Sequence, residues 1–337
     1  MRITFFFRQT SPVYHSIEKL FQTIISNISD FETISQFSTH PSKGFINRIK
    51  IGIEARNRQS AINHITGDIH FISLFLKKSH TILTIHDVGI LNEGNFLKRF
   101  IIKKFWFDWP IRRVTYLTVI SEFTRRELMR ACKIPPEKIF VINNCIAENY
   151  QYFPKEIITE TPAILHIGTK SNKNLTRLIN AIENINCKLL IVGKLNTEQL
   201  SLLENKNIVY ENYVNLSQPE LLALYVKSDI LAYVSTYEGF GMPVVEANAV
   251  GRPVLSSNIE PIKSVASDAA LLVDPFNENE IREGIKRIIT DNVLRNQLIK
   301  NGLENAKKYR AKKVANQYME VYKLLLNKKN EKNPHLY

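Results

Sequence analysis

Two glutamates, Glu238 and Glu246, stand eight positions apart in the stretch STYEGFGMPVVEANA, with Gly239, Gly241 and Pro243 between them. A carboxylate can accept hydrogen bonds from two neighbouring hydroxyls, as on a ribose or another polyol. Glycines let backbone amides approach a ligand closely. Proline suits the first turn of a helix, so a helix is expected to begin near Pro243. The amides at a helix start and the positive end of its dipole favour an anion such as phosphate. That dipole contributes only about 0.3–1 kcal/mol at exposed sites, so cations are expected to assist. Acid, phosphate cradle and acid, in that order, would grip a sugar, a diphosphate and a ribose, which together make a nucleotide sugar. Taken singly, either glutamate reads more plainly as a surface residue of a loop or helix. The whole string is what singles them out.

The elements that must position these residues are legible as short apolar runs separated by helix-length segments. In the first half the runs are Ile3–Phe7, Ile69–Phe75, Thr81–Ile85, Val114–Ile120 and Ile139–Ile142. In the second half they are Ala163–Ile167, Lys188–Val192, Ile208–Tyr210, Ile230–Val234, Val254–Ser256 and Ala270–Val273. Helical periodicity fills Leu175–Ile185, Thr197–Asn205, Gln218–Lys227, Pro243–Val250 and Glu278–Ile289. Ser217-Gln218-Pro219-Glu220 has the form of a capping box. Such alternation predicts parallel sheets with helices on both faces. A polar stretch with Pro154 and Pro162, near Tyr152–Pro162, separates two sets of elements. The expected class is therefore α/β, with two Rossmann-like domains facing each other. The expected divisions are 1–157, 158–311 and a C-terminal helix with a frayed tail at 312–337, the helix returning to the N-terminal domain.

Bulk properties narrow the function classes. The 337 residues are ample for two domains, and 44% hydrophobic against 23% charged residues argues for a packed soluble protein. A net charge of +13 favours an anionic partner. Three widely spaced cysteines, Cys132, Cys145 and Cys187, make neither a disulfide framework nor a zinc motif, which fits a reducing cytosol. No apolar run reaches the length of a membrane span, and the opening residues read as a strand rather than a signal peptide.

The stretch around the two glutamates resembles the E-x7-E signature of retaining glycosyltransferases of family 4, the group 1 glycosyl transferases with the GT-B fold, whose ligand cleft lies between the two domains. The resemblance implies that Glu246 binds the ribose and Glu238 contacts the donor sugar, with Gly239, Phe240, Gly241, Met242, Pro243 and Val244 lining the donor between them. ILHIGTKSNKNLTRLINAI, residues 164–182, is similar to the family's strand–loop–helix ending in Lys-Asn-Leu. It implies donor contacts at Gly168, Thr169, Lys170 and Lys173, with Lys173 as the cation at the diphosphate. The family often has an arginine soon after that glycine. Here Thr169 and Lys170 follow, and either could stand in its place. Glu211-Asn212-Tyr213 falls where the family holds the base by backbone groups. TIHDVG at 84–89 resembles the strand ending in His-Asp and implies His86 near the reaction centre, with Asp87 fixing the loop. His64–Asp68 reads as structural, and Ser121 as a helix cap. The glycine-rich loop many members carry after the first strand is replaced by RQTSPVYHS, Arg8–Ser16. The catalytic set expected from the resemblance is Glu238, His86 and Lys173, without metal or cofactor, because no DxD-type motif stands in a matching context. Front-face attack, the leaving phosphate taking the acceptor proton, is expected for a retaining transfer.

The implied partners are a nucleotide-diphosphate-sugar donor and a saccharide or lipid-linked saccharide acceptor, in surface polysaccharide or glycolipid synthesis in the cytoplasm. Residues 95–113, NFLKRFIIKKFWFDWPIRR, interleave cations with aromatics. They read either as a helix on the first sheet with a solvated basic side or as a peripheral contact with an anionic membrane. The alternatives are a non-catalytic nucleotide-sugar-binding protein and a basic nucleic-acid-binding protein. The latter is disfavoured because no binding motif appears and the cations form no single stripe.

Overall fold

The computed structural model describes residues 1–10, 16–92, 94–155 and 160–332. The chain divides into two compact units: Met1–Ala147 together with the helix starting at Ala311, and Glu148–Arg310. Each contains a six-stranded, wholly parallel sheet.

In the first unit the strands are β1 (Arg2–Phe7), β2 (Glu32–Phe37), β3 (Ile62–Ile65), β4 (Thr81–Ile85), β5 (Tyr116–Val119) and β6 (Ile139–Val141), in the order β2-β1-β3-β4-β5-β6. The apolar run Ile69–Phe75 is not a strand. It forms a 3-10 turn, His70–Leu74, packed beneath the helix Phe45–Asn57. The strand in its place is β3, whose Asn63 and His64 disguise it in sequence. Both are fully buried, and both are satisfied. His64 makes 2.7 Å hydrogen bonds to Tyr322 Oη and Thr84 Oγ1, and Asn63 Oδ1 accepts from the Ser60 amide at 3.0 Å. A paired polar group costs a core little, an unpaired one much. β2 also escapes notice because it lies on the sheet edge and is half polar.

One side of this sheet is closed by the helix Ala311–Lys332, which buries Val314, Tyr318, Val321, Tyr322 and Leu325 against Phe5, Phe7 and Phe21. Residues 96–112 are helical throughout, but their middle turn, Lys103–Asp108, is a π-helix. Pro110 has no N–H to give the Trp106 carbonyl four residues back. His70 Nδ1 donates to that carbonyl instead, at 2.9 Å.

In the second unit the strands are β7 (Ala163–Ile167), β8 (Lys188–Val192), β9 (Tyr210–Tyr213), β10 (Ile230–Tyr233), β11 (Val254–Ser257) and β12 (Leu271–Val273), in the order β12-β11-β10-β7-β8-β9. The unit begins at Glu148, ten residues before the division expected from sequence, because the connecting residues pack on it. Tyr150 meets the Tyr225 ring edge-on at 5.7 Å and its carbonyl accepts from Arg310 at 2.7 Å. The Phe153 amide donates to Val250, and Arg252 donates to the Phe153 carbonyl. Residues 156–159 of the polar stretch lie outside the described residues. The capping box at Ser217 and Glu220 forms. β9 sits further along than expected, so Glu211 is a strand residue. It is ion-paired with Lys188 and Lys227, and these two pairings, with the Tyr213 hydroxyl, hold its carboxyl down at about 2.

Candidate functional site

The second sheet reverses its winding between β7 and β10: β8 and β9 are added on one side, β11 and β12 on the other. Ligands of open α/β sheets bind beyond the carboxyl ends of the strands at such a point. The two loops that leave these neighbouring strands carry Gly168–Asn174 and Val234–Gly241. They are tied together. Asn172 donates to the Tyr237 carbonyl at 3.0 Å and its own carbonyl accepts from the Thr236 amide at 2.8 Å. Asn174, buried at φ 64°, donates to the carbonyls of Val234 and Pro275.

Lys173 and Glu238 meet across these loops. The Lys173 ammonium donates to Glu238 Oε1 at 2.5 Å and to Tyr233 Oη at 2.9 Å, with both partners more than four-fifths buried. Gly168 makes the approach feasible. Its φ is +99°, and a Cβ there would stand 2.6 Å from the Lys173 Cγ. Thr169 spends its hydroxyl on the Lys194 carbonyl at 2.7 Å, whereas Lys170 is exposed. Of the two residues after Gly168, the cation is thus the one whose side chain reaches solvent.

The helix Met242–Val250 starts from Gly241, at φ +107°, with Pro243 in its first turn. Pro243 has no amide hydrogen, and the Val244 amide turns back to the Gly241 carbonyl at 3.0 Å. The amides of Gly241 and Met242 stand at the helix start, where an α-helix has no carbonyl of its own for them. Phe240 and Val244 bury their side chains, Phe240 against Tyr309. Gly239 lies between Glu238 and this cap.

Glu246 follows one turn into the helix, half-buried. The Tyr225 hydroxyl donates to its Oε2 at 2.6 Å. Burial pushes the Glu246 carboxyl up to about 7, against the opposing pull of that hydrogen bond. Tyr225, Tyr233 and Asn174 were not singled out in the sequence. The first two read there as core aromatics of a helix and a strand. Only their position at the ends of those elements, next to the loops, hints at more.

In the first unit, His86 follows β4. Its Nε2 donates to the Thr66 carbonyl at 2.7 Å, and burial lowers its pKa below the usual imidazole value, so the ring is neutral at pH 7. Asp87 accepts from the Gly89 amide at 2.9 Å and shapes the turn. Ser121 caps the helix Glu122–Ala131. Arg8, directly after β1, donates to Glu18 and to Asp68, both at 2.7 Å. Residues 11–15 of the glycine-free segment lie outside the described residues. Among the described residues, no three His, Cys, Asp or Glu side chains are grouped to hold a metal ion, and no helix is long and apolar enough to cross a membrane.

Comparison with known proteins joins these observations. The family model described as glycosyl transferases group 1 matches residues 150–305, and that described as glycosyltransferase family 4 matches residues 37–150. The chain belongs to the group 1 glycosyltransferases of family 4. This glycosyltransferase is 28% identical over 234 residues to the O-antigen chain mannosyltransferase B of Escherichia coli, covering 62% of this chain and 60% of that protein. Its fold is GT-B. It superposes on sucrose-phosphate synthase from Thermosynechococcus elongatus with a TM-score of 0.78, at 16% identity over 97% of this chain and 99% of the other. The Anabaena protein HepE in complex with UDP and glucose gives 0.75 at 14% identity, over 95% and 99%. The two matching family models meet at residue 150, within three residues of where the compact units divide.

Proposed function

We propose that this glycosyltransferase moves a sugar, with retention of anomeric configuration, from a nucleotide-diphosphate-sugar donor to a saccharide or lipid-linked saccharide in surface polysaccharide or glycolipid synthesis. The observation that carries this reading is the Lys173 ammonium held between Glu238 and Tyr233 beyond the switch point of a parallel sheet. A cation fixed there, with Lys170 in solvent beside it, suits a diphosphate. The amides of Gly241 and Met242 add donors at the positive end of a helix. Glu246, anchored through one oxygen by Tyr225, keeps the other for ribose hydroxyls. Glu238 contacts the transferred sugar. The E. coli relative is named a mannosyltransferase, which makes an activated mannose the first donor to test.

Catalysis rests on charge. The bond from the anomeric carbon to the diphosphate oxygen breaks, and the new bond to the acceptor oxygen forms on the same face. The acceptor proton passes to the departing phosphate. Lys173 and the preorganised amides stabilise the charge that gathers on the leaving group. His86, neutral and held by Thr66, serves the reacting sugar through its imidazole. No metal or cofactor is required in this scheme. The protein works in the cytoplasm at the membrane face, with residues 95–113 as a peripheral contact.

A thermal-shift panel of UDP, GDP, ADP and CMP sugars tests the reading, since a bound donor raises the melting temperature by mass action. One nucleotide series should stabilise the wild type and fail to stabilise Glu246→Ala. Stabilisation by none of them, or equally of both proteins, would reject the donor assignment. Release of nucleoside diphosphate on adding acceptor separates an enzyme from a passive binder.

A further inference from the structure

Among the described residues, ten of the 24 exposed large apolar side chains sit on two helical segments of the first unit, four on Phe45–Asn57 and six on 96–112. The most exposed stand at the start of each: Phe45 is 78% and Ile46 69% exposed, Phe96 78% and Leu97 64%. The two segments are neighbours. Both pack on the turn His70–Leu74, and Arg48 of the first lies over the Trp106 ring of the second, 4.9 Å from its centroid. Gly52 presses the first helix onto the body of the unit, since a Cβ there would meet the Phe75 ring at 2.4 Å. Ile51 and Ala55, and Phe107 and Ile111, form the inward faces in one core cluster. What remains outward is a shared, mainly apolar surface.

Its charge is one-sided. The two segments carry eight lysines and arginines and two acids, Glu54 and Asp108. Both acids are engaged with the protein. Glu54 accepts from Gln36 and Thr39, and Asp108 lies near Lys103 and Lys104. The exposed cations Lys50, Lys98, Arg99 and Arg112 lie on the same two segments as the apolar tips. Isolated apolar side chains within a rim of cations match the boundary of an anionic bilayer, where rings and alkyl chains enter below the phosphates and cations pair with them. A nucleic-acid partner would meet the cations but leave Phe45 and Phe96 in water.

We infer that the helix Phe45–Asn57 and the segment 96–112 form one docking platform for an anionic lipid surface. This rests on the reading of 95–113 as a peripheral contact and adds to it the helix Phe45–Asn57, with four of the ten exposed apolar side chains. The platform is bound in the interface plane; neither segment crosses the bilayer.

Flotation of the full chain with vesicles of phosphatidylcholine, alone or mixed with phosphatidylglycerol, tests it. Phe45→Ser/Ile46→Ser and Phe96→Ser/Leu97→Ser alter exposed side chains only, so melting temperature and nucleotide binding should be unchanged. Wild type should float with the mixed vesicles and not with the neutral ones. Each double variant should bind the mixed vesicles at least about tenfold more weakly, the scale of withdrawing two large apolar side chains. No flotation of wild type would overturn the peripheral-contact reading itself. Loss with the Phe96/Leu97 variant but not the Phe45/Ile46 variant would leave that reading and overturn the platform. Tighter binding of wild type to a DNA duplex than to mixed vesicles, indifferent to both variants, would overturn both.

Discussion

The Lys173 side chain crosses directly over Gly168, where a Cβ would stand 2.6 Å from its Cγ and 3.0 Å from its Cδ and Cε. The reach of Lys173 to Glu238 thus depends on a missing methyl group five residues earlier. The left-handed backbone at Gly168 adds a second reason for glycine there.

Gly168→Ala should therefore weaken both fold and donor binding. Strain at such a backbone position is on the order of 1–3 kcal/mol. A denaturant titration should show this loss, and the nucleotide Kd should rise because Lys173 is displaced. Unchanged stability with unchanged Kd would count against the contact.

Glu246 sets a pH dependence whose sign is fixed. Its carboxyl titrates near 7 in the folded protein instead of 4.5. An unfolded chain ionises first, so the contribution to stability is lost as the pH rises from about 4.5 to about 7. Glu246→Gln, which cannot ionise, should gain stability relative to wild type across that window. If Glu246 holds the ribose as proposed, the hydroxyls donate to its ionised form, so nucleotide binding should release a proton at pH 6. Calorimetry in two buffers of different ionisation enthalpy would detect it, and Glu246→Gln should abolish it.

Tyr225→Phe removes the hydrogen bond that lowers the Glu246 carboxyl pKa. The midpoint of the binding pH profile should then move upward, and donor KM should rise by roughly tenfold, the worth of a hydrogen bond to a charged group. kcat should change far less. An equal fall in kcat, with the pH midpoint fixed, would mean that Tyr225 supports the fold alone.

His86 is neutral at pH 7, because burial lowers its pKa. Any limb of the kcat profile that it sets should lie below the usual imidazole range. His86→Asn should lower kcat by at least about tenfold, as loss of a transition-state contact does. The nucleotide Kd should stay as in wild type, since the Gly168–Glu246 region is built without His86.

The residues proposed for the site stand out in sequence because their types are conspicuous where they fall. Glycines, a lysine and carboxylates stand at the ends of apolar runs, and such runs are what buried parallel strands look like. Tyr225 and Tyr233 were not readable, because a tyrosine in an apolar run is indistinguishable from core until its hydroxyl is seen to meet a carboxylate or an ammonium. β3 was missed for a related reason. The partner that makes His64 tolerable inside a sheet is Tyr322, 258 positions away. Ile69–Phe75 misled in the opposite sense: its apolar side chains serve the core from a 3-10 turn.

That distant partner has a consequence for how the chain comes off the ribosome. The sheet of the first unit is translated before the second unit, yet the face formed by Phe5, Phe21 and His64 is capped by a helix translated after it. The second unit, Glu148–Arg310, holds its sheet and core within one uninterrupted stretch and can finish while that face still waits. The nascent first unit therefore carries a bare aromatic face while the whole second unit is made, the period in which a chaperone has something to hold.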